Sequence, residues 1–291
     1  LDELVCVLKS IALEKDSIVN CDETWCKVRK YDHYKKCYMW VLVNKAERLV
    51  IFFYEDGSRG RDVLTNFLGD AELKALMSDG YNAYVFIGDE LKTHRYKDTD
   101  HQVCLAHVRA KFVKARMEGG DKRADVFLGN INRLFRFERE YDREMITDGE
   151  RTRRRQGLPT MEAMINLRAN LLQELKSEEE QKSCYMREAL NYLHKFWNEA
   201  FTYIKDGRYP ISNNLAERAV RPFTTKRKNS LHFGSDEGAE IAAVYHSIIS
   251  TVKLQGRSAW DYLGKFFTGI FNGCRDFLSL TPQNIDLAVC Q

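Results

Sequence analysis

Near residue 112 the chain changes its apolar period, and that change limits what it can fold into. Before it, apolar residues gather in short β-rich runs. From there to about 205 they recur at helical spacing, as in FLGNINRLFRFEREYDREMI and MREALNYLHKFWNEAFTYIK, with proline almost absent. SIVNCDETWCKVR (17–29) reads as a strand, and KCYMWVLVNKAERLVIFFYE (36–55) as a hairpin turning at Asn44-Lys45-Ala46-Glu47. Residues 58–68 place Val63, Leu64, Phe67 and Leu68 at helical spacing. KALMSDGY (74–81) is a short buried strand broken at Asp79-Gly80, a helix is expected over 81–92, and HQVCLAH (101–107) is a strand running into a basic helix. The helical block holds at least three helices packed as a bundle, with GERTRRRQGLPT (149–160) as its loop. After Pro210 come a helix at 212–221, a turn about 232–238, helices at 239–254 and 258–272, and a weakly patterned end.

This order predicts an α/β chain with an all-α insertion. Residues 1–111 and 206–272 would form one discontinuous domain, 112–205 the helical insertion, and 273–291 a tail. Three strands, helix, strand, helix, strand, helix is also the order of the ribonuclease H-like fold, a mixed sheet flanked by helices.

Composition excludes several classes. At 44% hydrophobic and 30% charged residues, the chain reads as globular. It has no apolar run long enough to span a membrane and no signal segment. Its eight cysteines include no C-x-x-C pair, which suits reduced thiols in a cytoplasm. The chain opens on Leu1, as a piece of a longer protein would. A net charge of +3 does not announce nucleic acid, but basic clusters recur at 109–116, 151–155 and 218–228. There is no glycine-rich phosphate loop and no G-x-S-x-G elbow, so nucleotide hydrolysis and acyl transfer have no support.

Three acidic residues occupy places that a metal site favours. Asp22 follows the apolar start of the first strand, Asp79 ends a buried one ahead of Gly80, and Glu217 lies on the helix after the insertion. Phosphodiester chemistry needs hard oxygen ligands holding two Mg²⁺ about 3.5–4 Å apart, and three carboxylates from distant segments can supply them. Each also has a plain alternative. Glu23 is as acidic as Asp22, and strand alternation sends the two to opposite faces, so only one can join a site. Asp79-Gly80 is an ordinary turn dipeptide, and Glu217 with Arg221 an ordinary helical ion pair.

The surroundings of Glu217 add to the case. Asn213, Glu217 and Arg221 fall at i, i+4 and i+8, Ser212 suits an N-cap, and Pro222 should end or kink the helix. Lys226, Arg227 and Lys228 follow, placing cations beside the carboxylate, as a polyanion site requires. Cys104 and His107 form half of a zinc site, which Cys184 and His194 could complete; otherwise they are a buried thiol and a polar helix contact.

The words CDET, SDGY, CLAHVRAKF and SNNLAERAVRPFTTKRKNSLHFGSDEGAE, in this order, resemble the insertion sequence 66 family of bacterial transposases, over roughly residues 15–260. The resemblance implies a DDE transposase catalytic domain of ribonuclease H-like fold, with a helical insertion before the final glutamate and Asp22, Asp79 and Glu217 as its triad. Relatives also carry an N-terminal coiled segment and a zinc-binding module that have no counterpart in this sequence. The expected activity is Mg²⁺- or Mn²⁺-dependent polynucleotidyl transfer, in which transposon ends are cut and the freed 3′-hydroxyl attacks target DNA. Asn213, Asn214, Arg218 and Arg221 would position phosphates. Lys226 to Lys228, with Arg109 and Lys111, would extend the groove. Expected partners are transposon-end and target DNA, a second copy of the chain or a larger assembly on DNA, and accessory transposition proteins, all near the bacterial nucleoid. The alternatives are a non-catalytic DNA-binding remnant or regulator of transposition, and a nuclease that cuts without joining.

Overall fold

The computed structural model describes residues 1–177 and 182–285, apart from the Lys226 side chain. It is a mixed α/β protein in which five strands, β1 (Ile18–Arg29), β2 (Tyr34–Asn44), β3 (Leu49–Glu55), β4 (Ala75–Ser78) and β5 (Asp100–Val103), lie in the order β3-β2-β1-β4-β5. The chain divides into two compact units. One comprises Leu1–Leu76, Asn82–Thr99 and Asn214–Gln291; the other comprises Met77–Tyr81 and Asp100–Asn213.

In the first unit β1, β2 and β3 form an antiparallel meander whose pairing runs without a bulge from Val19↔Asn44 to Arg29↔Tyr34. One face carries Cys26, Val28, Met39, Val41, Val43, Val50 and Phe52. It is covered by Ala216, Val220 and Phe223 of α9 (Asn214–Ser230) and by Ala239 and Ala243 of α10 (Asp236–Leu254). On the other face Trp40 stacks near Phe53, meets Tyr84 edge-on, and Phe53 stacks at 3.7 Å on Phe67 of α2 (Arg61–Leu68). α10 also closes the open edge of β3. Thr251 and Ser247 hydroxyls accept the Val50 and Phe52 N–H groups at 3.0 and 2.7 Å, so those strand donors are satisfied without another strand. α11 (Ala259–Phe271) follows α10, and the Tyr262 hydroxyl donates to the Leu280 carbonyl.

Three local expectations change here. α1 (Asp2–Ala12), absent from the sequence reading, buries Leu4, Leu8 and Ala12 at i, i+4 and i+8. Residues 81–92 form turns rather than a helix, because Asp89 caps the Leu91 N–H and the Gly88 N–H bonds the Tyr96 carbonyl. α9 does not end at Pro222: it runs on to Ser230. Pro222 is exposed, so its missing N–H leaves a gap on the solvent side while Val220 and Phe223 hold the helix to the sheet.

The second unit holds the end of β4, β5 and helices α3 (Leu105–Met117), α4 (Ala124–Glu144), α5 (Asp148–Arg155), α6 (Leu158–Lys176), α7 (Cys184–Lys195) and α8 (Trp197–Phe201). α3 packs on α4 and α7, with Phe112 stacked on Phe127 at 4.5 Å. The expected loop at 149–160 is mostly helix. Thr147 caps α5 through the Glu150 N–H, and Glu150 pairs with Arg153 and Arg154, which hold its carboxyl at about 2.

The last arginine of α5 sets the position of the whole helix. Arg155 is 1% exposed, and five N–H···O contacts engage its guanidinium. Two go to Glu138 of α4 at 2.8 and 2.7 Å, and three to the carbonyls of Tyr203, Asp206 and Tyr209. Replacing Arg155 with Ala would leave Glu138 to Arg151 alone and three carbonyls without their donor, so a loss of about 3–5 kcal/mol in urea unfolding is expected. A loss below 1 kcal/mol, roughly that of an exposed pair, would show that the site relaxes or hydrates freely.

His101 of β5 is buried and shares a 3.0 Å hydrogen bond with Ser78 Oγ; burial lowers its pKa to about 4. A folded value below the unfolded one means that stability is complete above about 6.5 and is lost as pH falls toward 4, by roughly 2–3 kcal/mol. The slope of stability against pH between about 6.5 and 5, above the range where carboxylates titrate, should be lost in His101→Gln. A slope that persists would place its origin elsewhere.

Candidate functional site

The β1–β2 register separates the two acidic neighbours. Asp22 pairs with Val41 and Glu23 with Trp40, so Asp22 lies on the sheet face covered by α9 and Glu23 on the opposite face. Glu23 is buried and committed there: Arg59 Nε donates to Oε1 at 2.6 Å, and the Tyr84 hydroxyl donates to Oε2. Burial, together with the Glu23 charge, raises the Tyr84 pKa well above its usual value, so the phenol remains a donor. Asp22 is half-buried, and its Oδ1 accepts the Glu23 N–H at 2.9 Å.

Glu217 follows Ala216 in the first turn of α9 and is half-buried on the same side of the sheet as Asp22. Within this unit the two carboxylates therefore share a face. Arg218, Arg221 and Lys228 are exposed on α9, as is Asn214 at its first residue; the Lys226 side chain lies outside the described part. Arg227 bends back to β1: its Nη1 donates to Thr24 Oγ1 at 3.0 Å and to the Trp25 carbonyl at 2.6 Å, and its guanidinium lies 3.9 Å from the Trp25 ring centre.

In the second unit Asp79 directly follows β4. Its Oδ1 accepts the Tyr81 N–H at 2.8 Å, and its carbonyl accepts the Tyr192 hydroxyl. Gly80 stands at φ +78°, where a Cβ would lie 2.9 Å from Tyr192 Oη and 3.2 Å from Phe196. Asn213 is buried, and its N–H donates to Cys104 Sγ at 3.1 Å; it precedes α9, which begins at Asn214, so the expected i, i+4, i+8 face starts at Glu217. Cys104 is buried ahead of α3, and His107 lies in its first turn. Cys184 and His194 stand at opposite ends of α7, roughly 15 Å apart at 1.5 Å per residue, and cannot both complete a zinc site with them. Arg109 bonds Asn132 at 2.6 Å, and Lys111 reaches Glu188 at 2.5 Å.

A further group joins Cys37, Asp56 and Asp236 in the first unit, and it has its own cation. Lys30 Nζ lies 2.9 Å from Asp56 and 2.6 Å from Asp236, and the Lys30 hydrogen bond holds the Asp56 carboxyl at about 2.

Residues 1–241 match the family described as Transposase IS66 family. The chain belongs to the IS66 transposase family. Its curated relatives include the uncharacterized proteins y4jD and y4qI of Sinorhizobium fredii, 29% and 27% identical over 82% and 81% of this chain. The chain spans 47% and 43% of their lengths.

In this chain of the IS66 family the sequence pattern singled out Asp22, Asp79 and Glu217 but missed the contacts made beside them. Arg59 and Tyr84 engage Glu23, and Tyr192 engages the Asp79 carbonyl; no local spacing signals either contact. None of the seven described cysteines is in a disulfide, and among the described residues no helix is long and apolar enough to cross a membrane. Because Gly80 combines a left-handed φ with a crowded Cβ position, Gly80→Ala should destabilise the chain by about 1–3 kcal/mol. Gly120→Ala, also at positive φ but with open space around it, should lose less. Equal melting temperatures for the two variants would remove the steric role assigned to Tyr192 and Phe196.

Proposed function

We propose that this IS66 chain carries the catalytic part of a DDE transposase, a divalent-metal-dependent polynucleotidyl transferase of ribonuclease H-like fold that cuts transposon DNA ends and joins them to target DNA. Family membership supports the transposase role. The observation that carries the assignment of residues is the placement of Asp22 and Glu217 on one face of the sheet while Glu23 is engaged on the other.

Asp22, Asp79 and Glu217 are the proposed metal ligands. Their donor set is all carboxylate oxygen, which suits Mg²⁺ or Mn²⁺ and not a thiolate-seeking metal. When bound, the ions would acidify a nucleophilic hydroxyl and neutralise charge on the phosphate. The carboxylates must reach this role ionised and oriented. Asp22 is oriented by the Glu23 N–H, and Asp79 by the Tyr81 N–H. Arg218, Arg221, Lys228 and Asn214, exposed on α9, are proposed to hold backbone phosphates, a sequence-independent contact that weakens with salt. A second copy of the chain, accessory proteins and a place at the bacterial nucleoid belong to the same proposal.

Labelled element ends incubated with Mg²⁺ or Mn²⁺ test it. Asp22→Asn, Asp79→Asn and Glu217→Gln should each lower strand cleavage by at least about a hundredfold, since even outer-shell groups at metal sites cost 10–100-fold. Unchanged cleavage in all three would overturn the triad. DNA binding by the parent without any cleavage would favour the regulator of transposition.

A further inference from the structure

Beyond Thr24 the β1–β2 ribbon is covered on one face only. Cys26, Val28, Cys37 and Met39 point into the core, while the alternate residues face solvent. These pair across the strands as Trp25↔Tyr38, Lys27↔Lys36 and Arg29↔Tyr34. The outer face thus presents an aromatic pair, a cationic pair and a mixed pair in succession. Trp25 is 38% exposed and Tyr34 is 54% exposed, with Tyr31 fully exposed at the turn.

Large aromatics are seldom left in water along a strand without something to stack on them. Hydrophobic burial does not account for this set, because the residues between the rings are lysines and an arginine. None of Lys27, Arg29 and Lys36 is in an ion pair among the described residues. Glu55, opposite Tyr38 on β3, is the carboxylate in register with the set. All three rings already bear planar partners, Arg227 at 3.9 Å on Trp25, Arg59 at 5.9 Å over Tyr38 and His232 at 4.6 Å edge-on to Tyr34, so these side chains are oriented before any ligand arrives. Rings with cations between them match the chemistry of an unpaired nucleic-acid strand, whose bases offer flat faces and whose phosphates offer charge. A duplex, with its bases stacked on one another, could use only the cations.

We infer that the outer face of the β1–β2 ribbon binds single-stranded DNA, with Trp25, Tyr34 and Tyr38 stacking on bases and Lys27, Arg29 and Lys36 holding phosphates. This goes beyond the proposed catalysis and does not depend on the three carboxylates. The test is fluorescence anisotropy of labelled oligo(dT) and of a duplex of equal length, in EDTA, so that cleavage plays no part. Trp25→Ala/Tyr34→Ala should weaken oligo(dT) binding about tenfold or more and leave duplex binding unchanged. Lys27→Gln/Lys36→Gln should lower the salt dependence of oligo(dT) binding. Asp22→Asn and Glu217→Gln should bind oligo(dT) as the parent does, which separates this site from the catalytic proposal. A Trp25→Ala/Tyr34→Ala protein that melts like the parent yet binds oligo(dT) equally well would overturn the inference. So would an equal loss on duplex.

Discussion

The unbroken register of β1 against β2 is the constraint on which the rest of the structure depends. Eleven consecutive pairs leave no bulge to change the parity, so every side chain of β1 is assigned a face by its number alone. The even positions meet α9 and α10, and they include Asp22; the odd positions include Glu23, Trp25, Lys27 and Arg29. A one-residue slip would send Glu23 toward α9 and bury Lys27 among Val28's present neighbours. The buried contact of Glu23 with Arg59 and Tyr84 opposes that slip, because a carboxylate moved away from both would lose its charge partner and a phenol donor.

Charge counted along the chain is a poor guide to its use, because ion pairs formed in the fold take up much of it. Of the three basic clusters, the one at 151–155 is spent inside the second unit. Arg151 pairs with Glu138 and Asp142, Arg153 and Arg154 with Glu150, and Arg155 with Glu138. In the cluster at 109–116, Lys111, Lys114 and Arg116 pair with Glu188, Glu118 and Asp125. The third cluster keeps Arg218, Arg221 and Lys228 in solvent. The cations of the β1–β2 ribbon, scattered singly through a strand, form a surface only because alternation aligns them.

The strands, the hairpin, and the helices after Gly234 were legible because each carries its own period and its own turn residues. What was not legible came from contacts distant in sequence. The stretch 149–160 looks like a loop because its arginines are repulsive until Glu138 and Glu144, outside the stretch, meet them. Pro222 reads as a helix end because a local rule cannot see Phe223 anchored against Phe52. Residues 81–92 read as a helix because Tyr81, Tyr84 and Val85 have helical spacing, whereas the rings of Tyr84 and Phe86 are placed by Trp40 and Tyr96.

By itself the sequence determined that Asp22 falls within the first strand, Asp79 at the turn after a buried one and Glu217 on a helix, since apolar period and turn residues are local properties of the chain. It also determined that Asp22 and Glu23 could not serve the same face. Only the tertiary structure decided which of the two faces α9, because that depends on which side of the sheet the helices cover. It likewise decided which cations are left for a polyanion, because an ion pair is formed by distance in space, and residues as far apart as Arg227 and Trp25 meet only after the sheet and α9 have packed.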